Sequence, residues 1–342
     1  MDRRDFLKFS GAGLASTVVG TGMVTWAPRS EAATISKTFY ISDGTATMPD
    51  GVSVYLQTFS DAPGTLNYPA SYISCQEGDT LSITVYNNLS TTHNLVIGGQ
   101  KQGDPVLAST GNIPSGGHAT LTYTIPKNQG KAGTYLFYDN YKSYNRYLGL
   151  HGCLIVMPYG ISNQVYAGSP TFVQQQYWIF NDIDPAINSA VQKGATPPST
   201  PVPRYFTING LTSLPPGAPG YDVAGRDAMA TPGTKLVGSI GDRTLIRVLN
   251  VGPCSHSMHT HANHVEWLTY NGTKRPDVWL KDCIYLRNNM GKADVIYPFD
   301  MPPDSYPPET TGQFPMHLHD EMSQTCGGGM YLFGAMTDIY FV

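Results

Sequence analysis

From Thr34 onward, apolar and polar residues alternate in short runs: Thr38 to Ile41, Val52 to Thr58, Leu81 to Asn87, Ala119 to Ile125, Gly133 to Tyr138 and Cys153 to Met157. Each is bounded by Gly, Pro, Asn or Asp, and a period of two places successive side chains on opposite faces, so each predicts a strand with one face in a core. A second series follows at Gln176 to Asn181, Tyr205 to Ile208, Leu245 to Asn250, Val265 to Tyr270, Ala293 to Tyr297 and Met330 to Ile339. Pro158 to Phe172, the Pro-rich Gly194 to Pro203 and Leu214 to Gly220 read as linker and surface loops. Two stretches about 165 residues apart share one plan. They are Glu77-Gly78-Asp79-Thr80 leading through a strand to Asn87-Asn88, and Gly241-Asp242-Arg243-Thr244 leading through a strand to Asn250. A histidine follows each within a few residues. The pattern predicts a duplicated all-β sandwich, with domains over 34–160 and 161–342 and a boundary near Pro158 to Pro170.

Composition agrees with this reading. Only 13% of the 342 residues are charged, while there are 36 Gly, 26 Pro and 22 Tyr, a balance of turn formers and aromatics over helix formers. The net charge of −4 is thinly spread, and no Lys/Arg run lies beyond the N-terminus, so a nucleic-acid partner has no electrostatic footprint. The first 33 residues read as a twin-arginine export signal. Arg3-Arg4 precedes Phe6-Leu7-Lys8, a weakly apolar run reaches Trp26, and Ser30-Glu31-Ala32-Ala33 offers a peptidase site. The expected location is periplasmic or extracellular, with no stable membrane span after cleavage. Five cysteines, at 75, 153, 254, 283 and 326, are too widely spaced for a CxxC metal motif, and their odd number leaves one unpaired within a chain.

The chemistry lies in the histidines. Six of nine fall between 256 and 319, in His256-Ser257-Met258-His259-Thr260-His261-Ala262-Asn263-His264 and His317-Leu318-His319. On an extended backbone His259 and His261 share a face, as do His317 and His319, so each pair can converge on one transition metal. His256, three residues back, is placed for a separate site, and His264 for orienting a ligand ring by hydrogen bond. His118 and His151 read as surface and structural residues, and the tyrosines from Tyr135 to Tyr147 as packing.

These motifs resemble the multicopper oxidases, which are built of cupredoxin domains, and specifically their two-domain members. The likeness rests on the Gly-Asp-Thr strand leading to His93, Gly133-Thr134-Tyr135-Leu136-Phe137, Gly149 to Val156, the HxxHxH at 256–261 and the HxH at 317–319. It implies two cupredoxin-like, plastocyanin-like Greek-key sandwiches, an oxidoreductase, and copper as cofactor. In that family four motifs hold a blue type 1 copper and a trinuclear type 2/type 3 cluster.

Residue by residue, the resemblance implies a reduced site. The first HxH is Thr91-Thr92-His93, keeping one type 3 ligand, and the second is Tyr138-Asp139-Asn140, keeping none. His256, His259 and His261 fall at type 1, type 2 and type 3 positions. In the last motif His317 and His319 remain, but Leu318 and Ser323 replace the type 1 cysteine and histidine. Leucine cannot coordinate, so a blue centre is excluded there; Met330 and Cys326 do not restore it. Five imidazoles remain, His93, His259, His261, His317 and His319, enough for one or two coppers, with Tyr138, Asp139 or Asn140 available to complete a shell. Zinc is the other metal these ligands suit. The family arrangement takes His93 from one domain and four ligands from the other, which puts the site at a domain or subunit interface and implies a homotrimer. The competing reading is a non-catalytic copper-binding or sequestering protein, or a degenerate scaffold. A copper nitrite reductase is set aside, because no cysteine lies between Tyr138 and Leu150. The small-molecule or redox partner is left open.

Overall fold

A computed structural model describes residues 22–48, 51–101, 103–212, 234–302, 309–320 and 334–342. Among them the first half forms β1 (Thr34–Thr47), β2 (Ser53–Ser60), β3 (Ile73–Gln76), β4 (Thr80–Asn87), β5 (Val96–Ile97), β6 (Ala108–Ser109), β7 (His118–Thr124), β8 (Gly133–Tyr138) and β9 (His151–Met157). The second half forms β10 (Gln174–Ile183), β11 (Tyr205–Ile208), β12 (Leu236–Gly238), β13 (Thr244–Asn250), β14 (His256–Thr260), β15 (Val265–Tyr270), β16 (Thr273–Lys281), β17 (Cys283–Leu286), β18 (Gly291–Tyr297), β19 (Gly312–Leu318) and β20 (Met336–Phe341). One helix, Pro185–Gln192, follows β10; the Asp184 side chain caps it by accepting from the Ala186 amide.

Each half is a two-sheet sandwich. In the first half the orders are β2-β1-β4-β7 and β3-β9-β8-β5-β6; in the second they are β11-β10-β13-β18-β15-β16 and β12-β20-β19-β14-β17. The plan is repeated: β1 runs parallel to β4 as β10 does to β13, and β3 parallel to β9 as β12 does to β20. Phe39, Ile83 and Val85 pack against Phe137 and Leu154 inside the first sandwich; Trp178, Phe180 and Val295 pack against Met258, Met316 and Leu318 inside the second.

A third apolar layer joins the halves, where Leu136, Cys153, Ile155 and Met157 meet Tyr177, Ile179, Leu245 and Leu249. This is why β9 is buried at all seven positions and reads as a continuous apolar run, since both of its faces are covered. Polar groups cross the same seam. The fully buried Arg247 guanidinium donates to Gln175 and Thr134 and lies 3.6 Å from Asp294, while Lys292 Nζ donates to the Gly99 and Thr134 carbonyls. The Arg146 Nε–H bonds the Val251 carbonyl.

Residues 22–33, at the end of the expected export signal, lie against this body. Met23 bridges to Gln176, Val24 is buried, and the Arg29 guanidinium pairs with the Asp79 carboxylate. Residues 1–21 and the Leu214–Gly220 loop lie outside the described residues, as do Ser323, Cys326 and Met330. The last expected strand therefore appears only as Met336–Phe341.

Candidate metal centre

The sheet containing β14 carries the histidines, and its register sets which face they occupy. Met258 pairs with Leu318 on β19 and Ile284 on β17, and all three enter the second core. The next residue along β14, His259, therefore points to the opposite face, where it stands in line with His317 on one side and Cys283 on the other. Leu318, at the position where the resemblance leads one to expect a copper-bound cysteine, is packed among apolar side chains.

Just past β14, the His261 amide donates to the Pro315 carbonyl, and the Tyr297 hydroxyl donates to the His261 carbonyl, fixing its backbone. His261 Nε2 lies 3.2 Å from His317 Nε2, and ligand atoms of His259, His261 and His317 all fall within 4.8 Å of one another. His319, whose amide donates to the Ser257 carbonyl, stacks on His317 at 5.3 Å and lies 4.7 Å from the His259 ring. Two imidazole nitrogens on one tetrahedral metal, each at about 2.0 Å, are about 3.3 Å apart. The His261–His317 spacing fits such a metal.

Electrostatics favour the form a metal needs. Burial, reinforced by the neighbouring His259, His261 and His319, lowers the His317 pKa to about 4; burial and then His319 lower that of His259. Both rings are thus held neutral, with a lone pair available. His259 borders an open pocket of about 640 Å³, also lined by His261, the exposed His264, Glu266, Asp282, Asp300 and Met301, while His317 is buried behind it.

His256 has a different role. It faces inward, and its Nε2 lies 2.7 Å from the buried Asp182 carboxylate, with Nδ1 3.6 Å from Asp320. Burial opposes charge on this ring, but Asp182 and then Asp320 more than offset it and raise its pKa to about 9. An imidazolium has no lone pair to give, so the position expected for a type 1 ligand is an ion pair. Asp182 stands 74 residues before its partner in the sequence, and no local pattern announces it.

His93 does not join the cluster within the chain. It is buried, its Nδ1 donates to Asp139 at 2.6 Å, and its Nε2 lies 2.8 Å from the Thr91 hydroxyl. Asp139 also accepts from the Asn145 side chain and the Tyr141 amide, so it is a partner of His93 rather than an open ligand. Tyr138 is buried in the seam between the halves, where burial raises its pKa and Arg146 opposes the rise. His151 is also buried, its Nδ1 bonded to the Arg146 carbonyl and its pKa lowered by burial to about 4; His118 is exposed and stacked on Tyr86.

Residues 63–160 match the family model described as multicopper oxidase. Solved structures share the whole architecture. A multicopper oxidase, mgLAC, aligns at 20% identity over 90% of this chain and 86% of its own, with a TM-score of 0.66. The blue copper oxidase from Nitrosomonas europaea aligns at 19% over 90% and 85%, with a TM-score of 0.65. The copper nitrite reductase from the same organism aligns at 17% over 90% and 94%, with a TM-score of 0.62. No curated protein matches by sequence. The chain therefore has a cupredoxin-like, multicopper-oxidase-like fold, with the multicopper oxidase domain signature in its first half.

Proposed function

We propose that this chain is an exported copper-binding oxidoreductase of multicopper-oxidase type with a reduced copper site and no blue type 1 centre. The observation that carries the reading is the cluster of four imidazoles around β14 and β19, with His261 and His317 nitrogens 3.2 Å apart and His259 and His261 opening onto a pocket. His259, His261, His317 and His319 would hold the metal. Bound copper would supply a one-electron couple and a Lewis-acidic centre. The protein holds His259 and His317 unprotonated, anchors the backbone of His261 and His319 through the Tyr297 and Ser257 contacts, and lines the adjoining pocket with acidic residues that include Asp282 and Asp300.

The paired arginines at 3 and 4 support twin-arginine export to the periplasm or beyond. Leu280 and Met301, both exposed at the pocket rim, support a site covered by a neighbouring subunit, as in a homotrimer. The fully engaged ring of His93 favours the second reading, a copper holder without turnover, because it leaves four imidazoles for metal. Metal analysis and electron paramagnetic resonance of the purified protein, with light scattering for its mass, test the first reading. One or two coppers per chain without blue colour, together with oxidation of a reductant, support it. Copper without turnover selects the holder, and absence of copper refutes both.

A further inference from the structure

We propose that Cys283 supplies a sulfur ligand beside the imidazole cluster, so that His259, Cys283 and Asp282 form a second position that takes a soft cation, Cu(I). The proposal rests on the copper reading above but adds a donor that the histidine motifs do not contain. Antiparallel pairing of β14 and β17 puts Cys283 directly opposite His259, on the face shared with His317. Cys283 Sγ lies 3.3 Å from His259 Nδ1, and Asp282 Oδ2 lies 3.7 Å from the same nitrogen. The ligand atoms of the three residues are within 4.8 Å of one another.

A sulfur and a nitrogen bound to one tetrahedral metal, at about 2.3 and 2.0 Å, are about 3.5 Å apart. The sulfur and nitrogen here therefore have nearly the spacing of two ligands on one metal. The other described cysteines differ in setting: Cys75 and Cys153 are buried in apolar cores, and Cys254 belongs to no such group. Thiolate selects Cu(I) over harder ions. On binding, the thiol proton is released to solvent, the single N–H proton of the neutral His259 ring sits on Nε2 so that Nδ1 gives its lone pair to the metal, and the copper keeps its oxidation state.

The test is an anaerobic titration with Cu(I) against a competing chelator, followed by X-ray absorption on wild type and on Cys283→Ser, Cys254→Ser and Cys326→Ser. The expected result is a sulfur scatterer near about 2.3 Å in wild type and in the latter two variants. Cys283→Ser should lose it and bind Cu(I) at least about tenfold more weakly, while its Cu(II) affinity and circular dichroism stay at wild-type values and show that it has folded. Wild-type copper held by nitrogen and oxygen alone, or sulfur scattering that survives Cys283→Ser, overturns the assignment of Cys283 and leaves the copper reading standing. A wild type that binds neither copper ion overturns both.

Discussion

Strands β5 and β8 of the first half and β14 and β19 of the second hold equivalent places in their sheets, yet they do opposite things. In the first pair Val96 faces Tyr138 and Ile97 faces Phe137, and the nearby His93 is closed into a buried network with Thr91, Asp139 and Asn145. In the second pair Met258 and Leu318 fill the core, while His259 and His317 turn outward beside His261 and His319. The duplicated scaffold offers both halves a place for imidazoles. What sets His93 and His256 apart from the cluster is a buried carboxylate against the ring, where His259 has only the exposed Asp282 at 3.7 Å. Asp139 takes up His93 and Asp182 takes up His256, whereas the cluster rings mainly face one another.

The largest effect should come from breaking the Asp182–His256 pair. Asp182→Asn leaves His256 buried without its counter-charge and should cost about 3–5 kcal/mol in denaturant unfolding. The pH dependence has a definite sign. His256 rises from 6.5 to about 9 on folding, so its stabilisation is complete below about pH 6.5 and lost as pH rises through about 9. Wild-type stability should fall across that window, and in Asp182→Asn the fall should disappear; an unchanged slope would remove the imidazolium.

Next in size, His259→Ala removes the residue at the centre of the row and should weaken copper binding at least about a hundredfold by competition titration. Leu318→Cys puts back the expected thiol, but on the core face. It should cost about 1–2 kcal/mol in cavity terms and give no blue colour on copper loading, because His256, the imidazole on the same core face of β14, is ion-paired. The smallest effect is expected from His93→Gln. About 1 kcal/mol of stability should be lost, because the glutamine amide can still donate to Asp139 while the Thr91 bond is given up, and copper content by metal analysis should be unchanged. Loss of copper in that variant would instead place His93 at a site shared between subunits.

The sandwich strands were readable because their alternation is local; Leu81 to Asn87 and Leu245 to Asn250 lie within β4 and β13. Strand β16 was not. Thr273–Lys281 contains Pro276 and four charged residues, and it survives as an exposed edge strand, where a missing amide costs no ladder bond. Strand β17 is four residues long, too short for a period to show. The histidine cluster was readable because its pairs are two residues apart. Cys283 and Asp182 were not, because their nearness to His259 and His256 exists only through strand register and packing between elements. Leu318 announced the missing thiolate; the ion pair made by His256, at the position of the expected type 1 imidazole, required the fold.

The seam between the two sandwiches has a calorimetric consequence. Burial lowers the Lys292 pKa to about 8 against the pull of Asp294, and Arg247 lies fully enclosed beside it. Neither cation has a satisfied environment unless both halves are in place. Separating the halves would expose the Thr134–Asp294 and Lys292–Thr134 bonds and the apolar layer around them together. The molecule should therefore melt in a single endotherm whose van't Hoff and calorimetric enthalpies agree, despite its duplicated architecture.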